Sequence, residues 1–249
     1  QNVHLSSAHG RGARRRSSDN RSRSAEVRGM SLGSYNFHTG VSAFFEMATA
    51  DAHALLPQHL EPIEVRHQRS VLSVTAFLFD DSVVGPYTEI MFSVIVPPTV
   101  AQWGQHAKAG FFPFLAAISS EEARRIKSER FHFPYHKEDI KAQFIEREDR
   151  VSVRVFGGED PIVDVSVTRG AWETTTHLLQ GYMMNGSERL RTTLQISGEY
   201  TVHENEQGEM TLFPHPMIAK YFPGEVSVHP FREHWFKNGT EVFHKLEAF

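Results

Sequence analysis

An acidic residue at the head of an apolar stretch is the first candidate for chemistry. Glu89 follows Gly85-Pro-Tyr-Thr and precedes Ile-Met-Phe-Ser-Val-Ile-Val, a run with the length of a strand. This run is largely apolar on both faces, which is typical of a strand covered on both sides. Because burial disfavours an ionised carboxylate, Glu89 is expected either to have a partner or to carry a proton. The pattern fits a salt-bridged structural glutamate as well as an acid–base group.

The histidines are the second candidate. Of the 15 histidines, His132 and His136 are four residues apart, but Pro134 between them opposes a helical pair. His229 and His234 form another loose pair, and no three-ligand set with a carboxylate has a recognisable spacing. The sequence also lacks a Walker loop, a dinucleotide glycine motif, His-Glu-x-x-His and Gly-x-Ser-x-Gly. We therefore expect neither a metal nor a cofactor.

Composition excludes several further classes. The 249 residues include no cysteine, which rules out disulfides, thiolate zinc sites, iron–sulfur clusters and a cysteine nucleophile. A net charge of −4 gives no reason to expect nucleic-acid binding, and the apolar runs are far too short for a membrane span. With 40% apolar and 22% charged residues the chain resembles an ordinary globular protein, and we expect a cytoplasmic location without membrane contact.

The first 29 residues differ from the rest. They contain seven arginines and two acidic residues, with many serines and few apolar side chains. Such a segment buries too little surface to offset the entropy of ordering, so we expect a disordered leader at 1–29 before a domain at 30–249. It fits a transit peptide, a basic arm for nucleic acid, or a translated upstream leader with Met30 as the true start; we favour the last.

Local patterns predict a mainly β domain. Strands are expected at 41–49, 71–79, 89–96, 140–146, 151–156 and 162–168. Two hairpins are expected, one with its loop at 157–161 and one spanning 200–213. Short helices are expected at 51–57, ended by Pro57, and at 119–128, a surface helix with a capping box from Ser119 to Glu122. Many short strands with few helices indicate an antiparallel barrel or sandwich.

Three motifs in order resemble the acetoacetate decarboxylase superfamily. Gly85-Pro-Tyr-Thr-Glu89 follows a helix that ends in Leu-Leu-Pro57, as in that family. The stretch Glu129-Arg-Phe-His-Phe-Pro134 is similar to the family segment before its paired lysines, and Leu212-Phe-Pro-His-Pro-Met217 is similar to one near its C-terminus. The resemblance extends from about Gly33 to Pro223.

This resemblance implies an α+β, mainly β fold: a cone-shaped, closed antiparallel β-barrel with peripheral helices and a buried pocket. It also implies a homo-oligomer and a small-molecule carbonyl substrate. In acetoacetate decarboxylase itself, a lysine made nucleophilic by its surroundings forms a Schiff base with the substrate ketone.

The sequence departs from the family where that chemistry is carried out. Tyr135 and His136 stand where the paired lysines are expected, and neither side chain can form an iminium. His38 stands where the family has an arginine for the substrate carboxylate, whereas Glu89 is retained. Lys137 lies two residues after Tyr135 and is an alternative nucleophile, although Lys137-Glu138-Asp139 also fits a solvated turn.

We therefore predict acid–base catalysis without a Schiff base. Glu89 would be the general acid or base, His136 a proton carrier and Tyr135 an oxyanion donor. Substrate contacts are assigned to His38, Tyr87 and Phe133. The expected enzyme is a lyase or an isomerase/cyclase acting on a keto-acid or polyketide-like carbonyl compound. The alternatives are a non-catalytic barrel that binds a small ligand, and a Schiff-base decarboxylase that uses Lys137.

Overall fold

A computed structural model describes residues 31–81, 84–99, 107–222 and 224–249. The predicted leader at 1–29 and Met30 lie outside the described residues. In the described part of the chain, no helix is both long and apolar enough to cross a membrane.

Seven long strands form a closed barrel. Numbered in chain order, its neighbours are β1 (Ser31–Ala48), β12 (Arg232–His244), β10 (Glu188–His203), β9 (Glu173–Asn185), β5 (Gly110–Ile118), β4 (Tyr87–Val96) and β3 (Arg69–Asp81). Pairing of β3 with β1 closes the ring. Two short strands, β2 (Glu64–Arg66) and β13 (Glu247–Ala248), pair with β3 and β10. The predicted closed barrel is confirmed.

One seam of the barrel differs from the antiparallel expectation. β5 and β9 run parallel, with Gly110 opposite Gln180 and Phe111 opposite Gly181. Between these strands the chain leaves the barrel to build a helix and a second sheet. Parallel neighbours need such a long crossover, because a tight turn can join only antiparallel strands.

The second sheet has four strands in the order β11 (Glu209–Leu212), β8 (Asp160–Thr168), β7 (Arg150–Gly157) and β6 (Lys141–Glu146). Alternate valines of β7 and β8 are fully buried and share one apolar core with the outward-facing side chains of β4. The strands predicted at 140–146, 151–156 and 162–168 are thus confirmed. The hairpin predicted at 200–213 is wrong, because 200–203 continue β10 whereas 209–212 pair with β8.

Among the described residues, three helices lie outside the strands: α1 (Thr49–Leu55), α2 (Glu121–Phe131) and α3 (Pro216–Ala219). The N-cap of α2 is Ser120, whose hydroxyl accepts from the Ala123 amide at 3.2 Å. The predicted cap, Ser119, instead accepts from the Thr88 amide at 2.9 Å and ties the helix start to β4. The description of α2 as a surface helix needs correction: Ala123, Lys127 and Phe131, spaced by four, form a buried face.

Candidate active site in the barrel chamber

The barrel encloses a cavity of about 440 Å³ with a mainly apolar lining. Strand β4 separates this cavity from the packed core. Glu89, Met91 and Ser93 line the cavity, whereas Ile90 and its alternate neighbours pack toward the second sheet. The period of two along a strand therefore places Glu89 inside the chamber.

Glu89 is paired on both carboxylate oxygens. The Lys127 ammonium contacts Oε2, and the Tyr135 hydroxyl donates to Oε1 at 2.9 Å. Glu89 is 8% exposed and Lys127 only 1%. Of the two states expected for a buried glutamate, the paired one is observed.

Aromatic rings surround the ammonium of Lys127. Its Nζ lies 4.5 Å from the ring centre of Phe79, 4.7 Å from that of Tyr35 and 5.3 Å from that of Tyr87. Burial by itself lowers the pKa of Lys127, but the negative charge of Glu89, followed by Tyr87 and Glu241, raises it above its ordinary value. The amine therefore stays charged and is not a nucleophile; it is absent from the cavity lining and neutralises Glu89 from behind.

Glu241 is a second acid in the same cavity and was missed by the sequence analysis. It is 5% exposed and lines the chamber. Burial raises the pKa of Glu241 to about 8; the charge of Lys127 opposes this rise and that of Glu89 adds to it. Glu241 therefore carries a proton at neutral pH, whereas Glu89 is ion-paired with the ammonium of Lys127.

A bulge in β12 turns Glu241 into the cavity. Asn238 and Gly239 stand opposite Gly198 of β10, and Asn238 has a φ of 48°. A side chain on Gly239 would lie 2.3 Å from the Ser197 carbonyl, so only glycine fits. The bulge shifts the inward positions from even to odd numbers, so that the chamber is lined by Arg232, His234 and Phe236 before it and by Glu241 and Phe243 after it.

Cationic and imidazole groups occupy another part of the lining. Arg232 Nε donates to His234 Nε2 at 3.0 Å, and the ring of His177 lies 4.4 Å from that of Tyr200. Burial, followed by the charges of Lys108 and Arg232, lowers the pKa of His177 to about 4. Burial, followed by the charge of Arg232, lowers the pKa of His234 to about 3. Both imidazoles are therefore neutral at pH 7.

Three of the predicted site residues lie near Glu89. Phe133 lines the cavity. Tyr87 is buried behind the wall and stacks on Phe79 with 4.8 Å between ring centres. The hydroxyl of Tyr135 is occupied by Glu89, so its position fits holding the carboxylate rather than donating to an oxyanion.

The other predicted site residues, His38, His136 and Lys137, lie outside the cavity lining. His136 Nδ1 accepts from the Glu138 amide at 3.2 Å, and Lys137 is exposed. This segment bonds to the edge of β5, where His136 N donates to the Ala116 carbonyl at 2.7 Å, so successive side chains point to opposite sides. His38 follows an inward Phe37 on β1, and its exposed imidazole lies 4.0 Å from Glu146.

One feature of the sequence indicates that Lys127 is buried. Its spacing of four from Ala123 and Phe131 marks the helix face that becomes buried, but the surrounding charged residues obscured it. Among the described residues, no group of three or more His, Asp or Glu side chains is placed to hold a metal ion.

Comparison with known proteins supports the fold. No family model and no curated protein matches this sequence. A solved acetoacetate decarboxylase has a TM-score of 0.61 and 16% identity over 88% of this chain and 91% of its own. An acetoacetate decarboxylase-like enzyme from Sphingomonas wittichii has a TM-score of 0.58 and 14% identity over 87% and 92%.

A third similar structure is the enduracididine biosynthesis enzyme MppR, complexed with the condensation product of pyruvate and imidazole 4-carboxaldehyde. Its TM-score is 0.58, with 12% identity over 87% of this chain and 89% of its own. This chain therefore has the acetoacetate decarboxylase-like fold, as its motifs predicted.

Proposed function

We propose that this protein is an enzyme that moves protons at the carbon next to a carbonyl group, without forming a Schiff base. The observation that supports this most is the pair of buried carboxyl groups that line one chamber, Glu89 and Glu241. Glu89 is ion-paired with Lys127, whereas burial raises the pKa of Glu241 to about 8. Different surroundings of this kind are how an active site obtains a base and an acid from the same residue type.

The proposed step is enolisation. Glu89 removes a proton from the carbon next to the carbonyl, and the electrons of that C–H bond form the carbon–carbon double bond. The electrons of the carbonyl π bond take the proton of Glu241 and form the enol hydroxyl. Glu89 is then protonated and Glu241 ionised, so return of a proton to carbon and to Glu241 resets the site.

The role of Lys127 in this step is to position and neutralise Glu89. The ammonium compensates the charge of the buried Glu89 carboxylate, which would otherwise lie in a poorly solvated place without a partner. Tyr135 fixes the second oxygen of Glu89 at 2.9 Å. His136 is not assigned a role, because its side chain does not reach the chamber.

Enolisation is a step that the reactions expected from the sequence have in common. An enol can isomerise, lose a leaving group as water, or close a ring, and the reverse aldol passes through the same species. The similar fold of MppR, a structure of which is complexed with a condensation product of pyruvate, supports a carbonyl substrate. A lyase or an isomerase/cyclase on an oxo acid is therefore the proposed class.

A Schiff base fits the lysines of this chain less well. Lys137 is exposed outside the cavity, and Lys127 is ion-paired behind its wall. Lys108 lines the cavity, but at an exposed position away from Glu89. A non-catalytic barrel remains the second candidate, because the lining is largely apolar and the charge of Glu89 is already neutralised.

Deuterium exchange tests the proposal directly. Methyl ketones and oxo acids with the carbonyl at different positions are incubated in D₂O, and loss of the C–H signals beside the carbonyl is followed by NMR. We expect exchange that falls about 10³-fold in Glu89→Gln, since a general base contributes up to about 10⁴-fold. Glu209→Gln, at an exposed position of β11, is the matched control.

Two results would contradict the proposed function. One is full exchange in Glu89→Gln. The other is an increase in intact mass after borohydride treatment, which would locate an iminium on Lys108, Lys127 or Lys137. For a binding barrel, a ligand would bind and be recovered without any exchange.

A further inference from the structure

The chamber is elongated and its two ends differ in charge. At one end Glu89 and Glu241 are buried, beneath the buried face of α2. At the other end Lys108 and Arg232 line the cavity from exposed positions. The acids therefore lie at a closed end, and the cations lie at the mouth.

The distance between these two ends of the cavity can be estimated along strand β12. Arg232 and Glu241 lie on this one strand, nine residues apart, and both line the cavity. At about 3.3 Å per residue, and allowing for the bulge, their backbones are separated by roughly 25 Å. With both side chains extended toward each other across this gap, the charged groups would lie roughly 12 Å apart, the span of about ten bonds of an extended chain.

The middle of the chamber offers a ligand little polar contact. Its walls include Met91, two residues from Glu89 on β4, and Phe236, which lies between Arg232 and Glu241 on β12. Several hydroxyl groups there are already bonded within the protein: Ser42 bonds Thr75 with 2.9 Å between their hydroxyl oxygens. A long apolar chain would fill this stretch without leaving protein groups unsatisfied.

The mouth, by contrast, has polar groups available for a ligand. The Nε2 atom of His177, which is 6% exposed, has no hydrogen-bond partner among the described residues. Arg232 contacts Glu204 at 3.2 Å, but that carboxylate is 65% exposed, and such a surface pair is weak. Lys108 forms no ion pair within the described part of the chain. Two cations and a buried imidazole without a partner favour an anionic group.

We propose that the chamber binds a long-chain oxo acid whose carboxylate lies at the mouth, between Lys108 and Arg232, and whose carbonyl group reaches Glu89 and Glu241. The carbonyl and the carboxylate are then about ten bonds apart. This separation distinguishes the ligand from short oxo acids such as acetoacetate. Enolisation at the carbonyl group rests on the proposed function, whereas binding of a long-chain acid does not.

Calorimetric titration with dodecanoate, acetate and 1-dodecanol tests the binding. We expect dodecanoate to bind more tightly than acetate and than 1-dodecanol. Lys108→Gln combined with Arg232→Gln should weaken dodecanoate about tenfold or more, as for loss of charge-assisted hydrogen bonds, and should change 1-dodecanol less than twofold. Arg154→Gln, on the exposed face of the second sheet, is the matched control. Equal affinities for acid and alcohol, or an unchanged affinity in the double variant, would overturn the inference.

The position of the carbonyl is tested with 11-oxododecanoate and 2-oxododecanoate. In D₂O, the first should exchange the protons beside its carbonyl at least tenfold faster than the second. A faster reaction of the 2-oxo acid would overturn the inference even if the enzyme is active. Absence of exchange in both, with charge-dependent binding of dodecanoate intact in Glu89→Gln, would instead contradict the proposed function and leave the binding assignment supported.

Discussion

Two glutamates on strand β12, Glu233 and Glu241, are both buried but differ in their surroundings. Glu233 is 0% exposed and lies outside the chamber lining. Its Oε2 accepts from the Thr168 amide at 2.6 Å and from the Thr168 hydroxyl at 2.8 Å, and its Oε1 accepts from the Gly208 amide at 2.5 Å. These donors tie β12 to β8 and to the segment before β11.

Glu241 has no such donors. The described residues give its carboxyl group no hydrogen bond, and it faces the cavity. Burial therefore raises the pKa of Glu241 to about 8, whereas three donors face the carboxyl group of Glu233. Burial alone does not identify a functional acid; the number of donors that face it does.

The largest expected effect is on stability, and it concerns Glu89, whose partner is the ammonium of Lys127. Lys127→Met leaves the carboxylate of Glu89 buried without its charge partner, which should lower the free energy of unfolding by about 3–5 kcal/mol. Urea denaturation measures this loss. Adding Glu89→Gln to Lys127→Met removes the unpaired buried charge and should recover most of the lost free energy of unfolding.

Lys141→Met is the control for this experiment, because Lys141 pairs with Glu159 on the surface and should contribute less than about 1 kcal/mol. A small effect of Lys127→Met, equal to that of Lys141→Met, would contradict the view that the ammonium stabilises Glu89.

The second effect concerns Glu241 and pH. As the proton donor, Glu241 must be protonated, so turnover should fall as the pH rises through about 8. Glu241→Gln should lower turnover about 10²-fold and remove this limb of the pH profile, because an amide cannot transfer a proton. Persistence of the limb in the variant would show that another group titrates.

Glu241 should also make the free energy of unfolding depend on pH. Its pKa is about 8 in the folded chain and about 4.3 in an unfolded one, so the unfolded state releases this proton first as the pH rises. The contribution of Glu241 is complete below about pH 4 and is lost as the pH rises through 8. Denaturation at several pH values should show this decline in the wild type but not in Glu241→Gln.

The smallest effect is expected at Glu233. Glu233→Gln keeps one acceptor but turns an amide group toward the donors of Thr168 and Gly208, which should cost about 1–3 kcal/mol of stability. Turnover per folded molecule and its pH profile should be unchanged. If turnover of Glu233→Gln no longer fell as the pH rises through about 8, the proposed difference in role between Glu233 and Glu241 would be contradicted.

Local sequence patterns identified the strands that alternate cleanly. The valines of β7 and β8 and the apolar run after Glu89 predicted buried strands, and the structure has them. By contrast, Asn238-Gly239 is a typical hairpin turn, yet here it forms a bulge within one continuous strand. No local signal tells these two outcomes apart, because the difference depends on pairing with β10.

The sequence by itself determined the mainly β domain, the fold suggested by ordered motifs, and Glu89 as a buried acid that needs a partner. These depend on side-chain alternation and on short motifs, both of which are local. Only the tertiary structure decided what surrounds that acid. Lys127 is 38 residues away, Tyr135 is 46 residues away, and Glu241 arrives from the last barrel strand. Charges that meet across a closed barrel leave no periodic trace in the chain, because strand pairing rather than spacing brings them together.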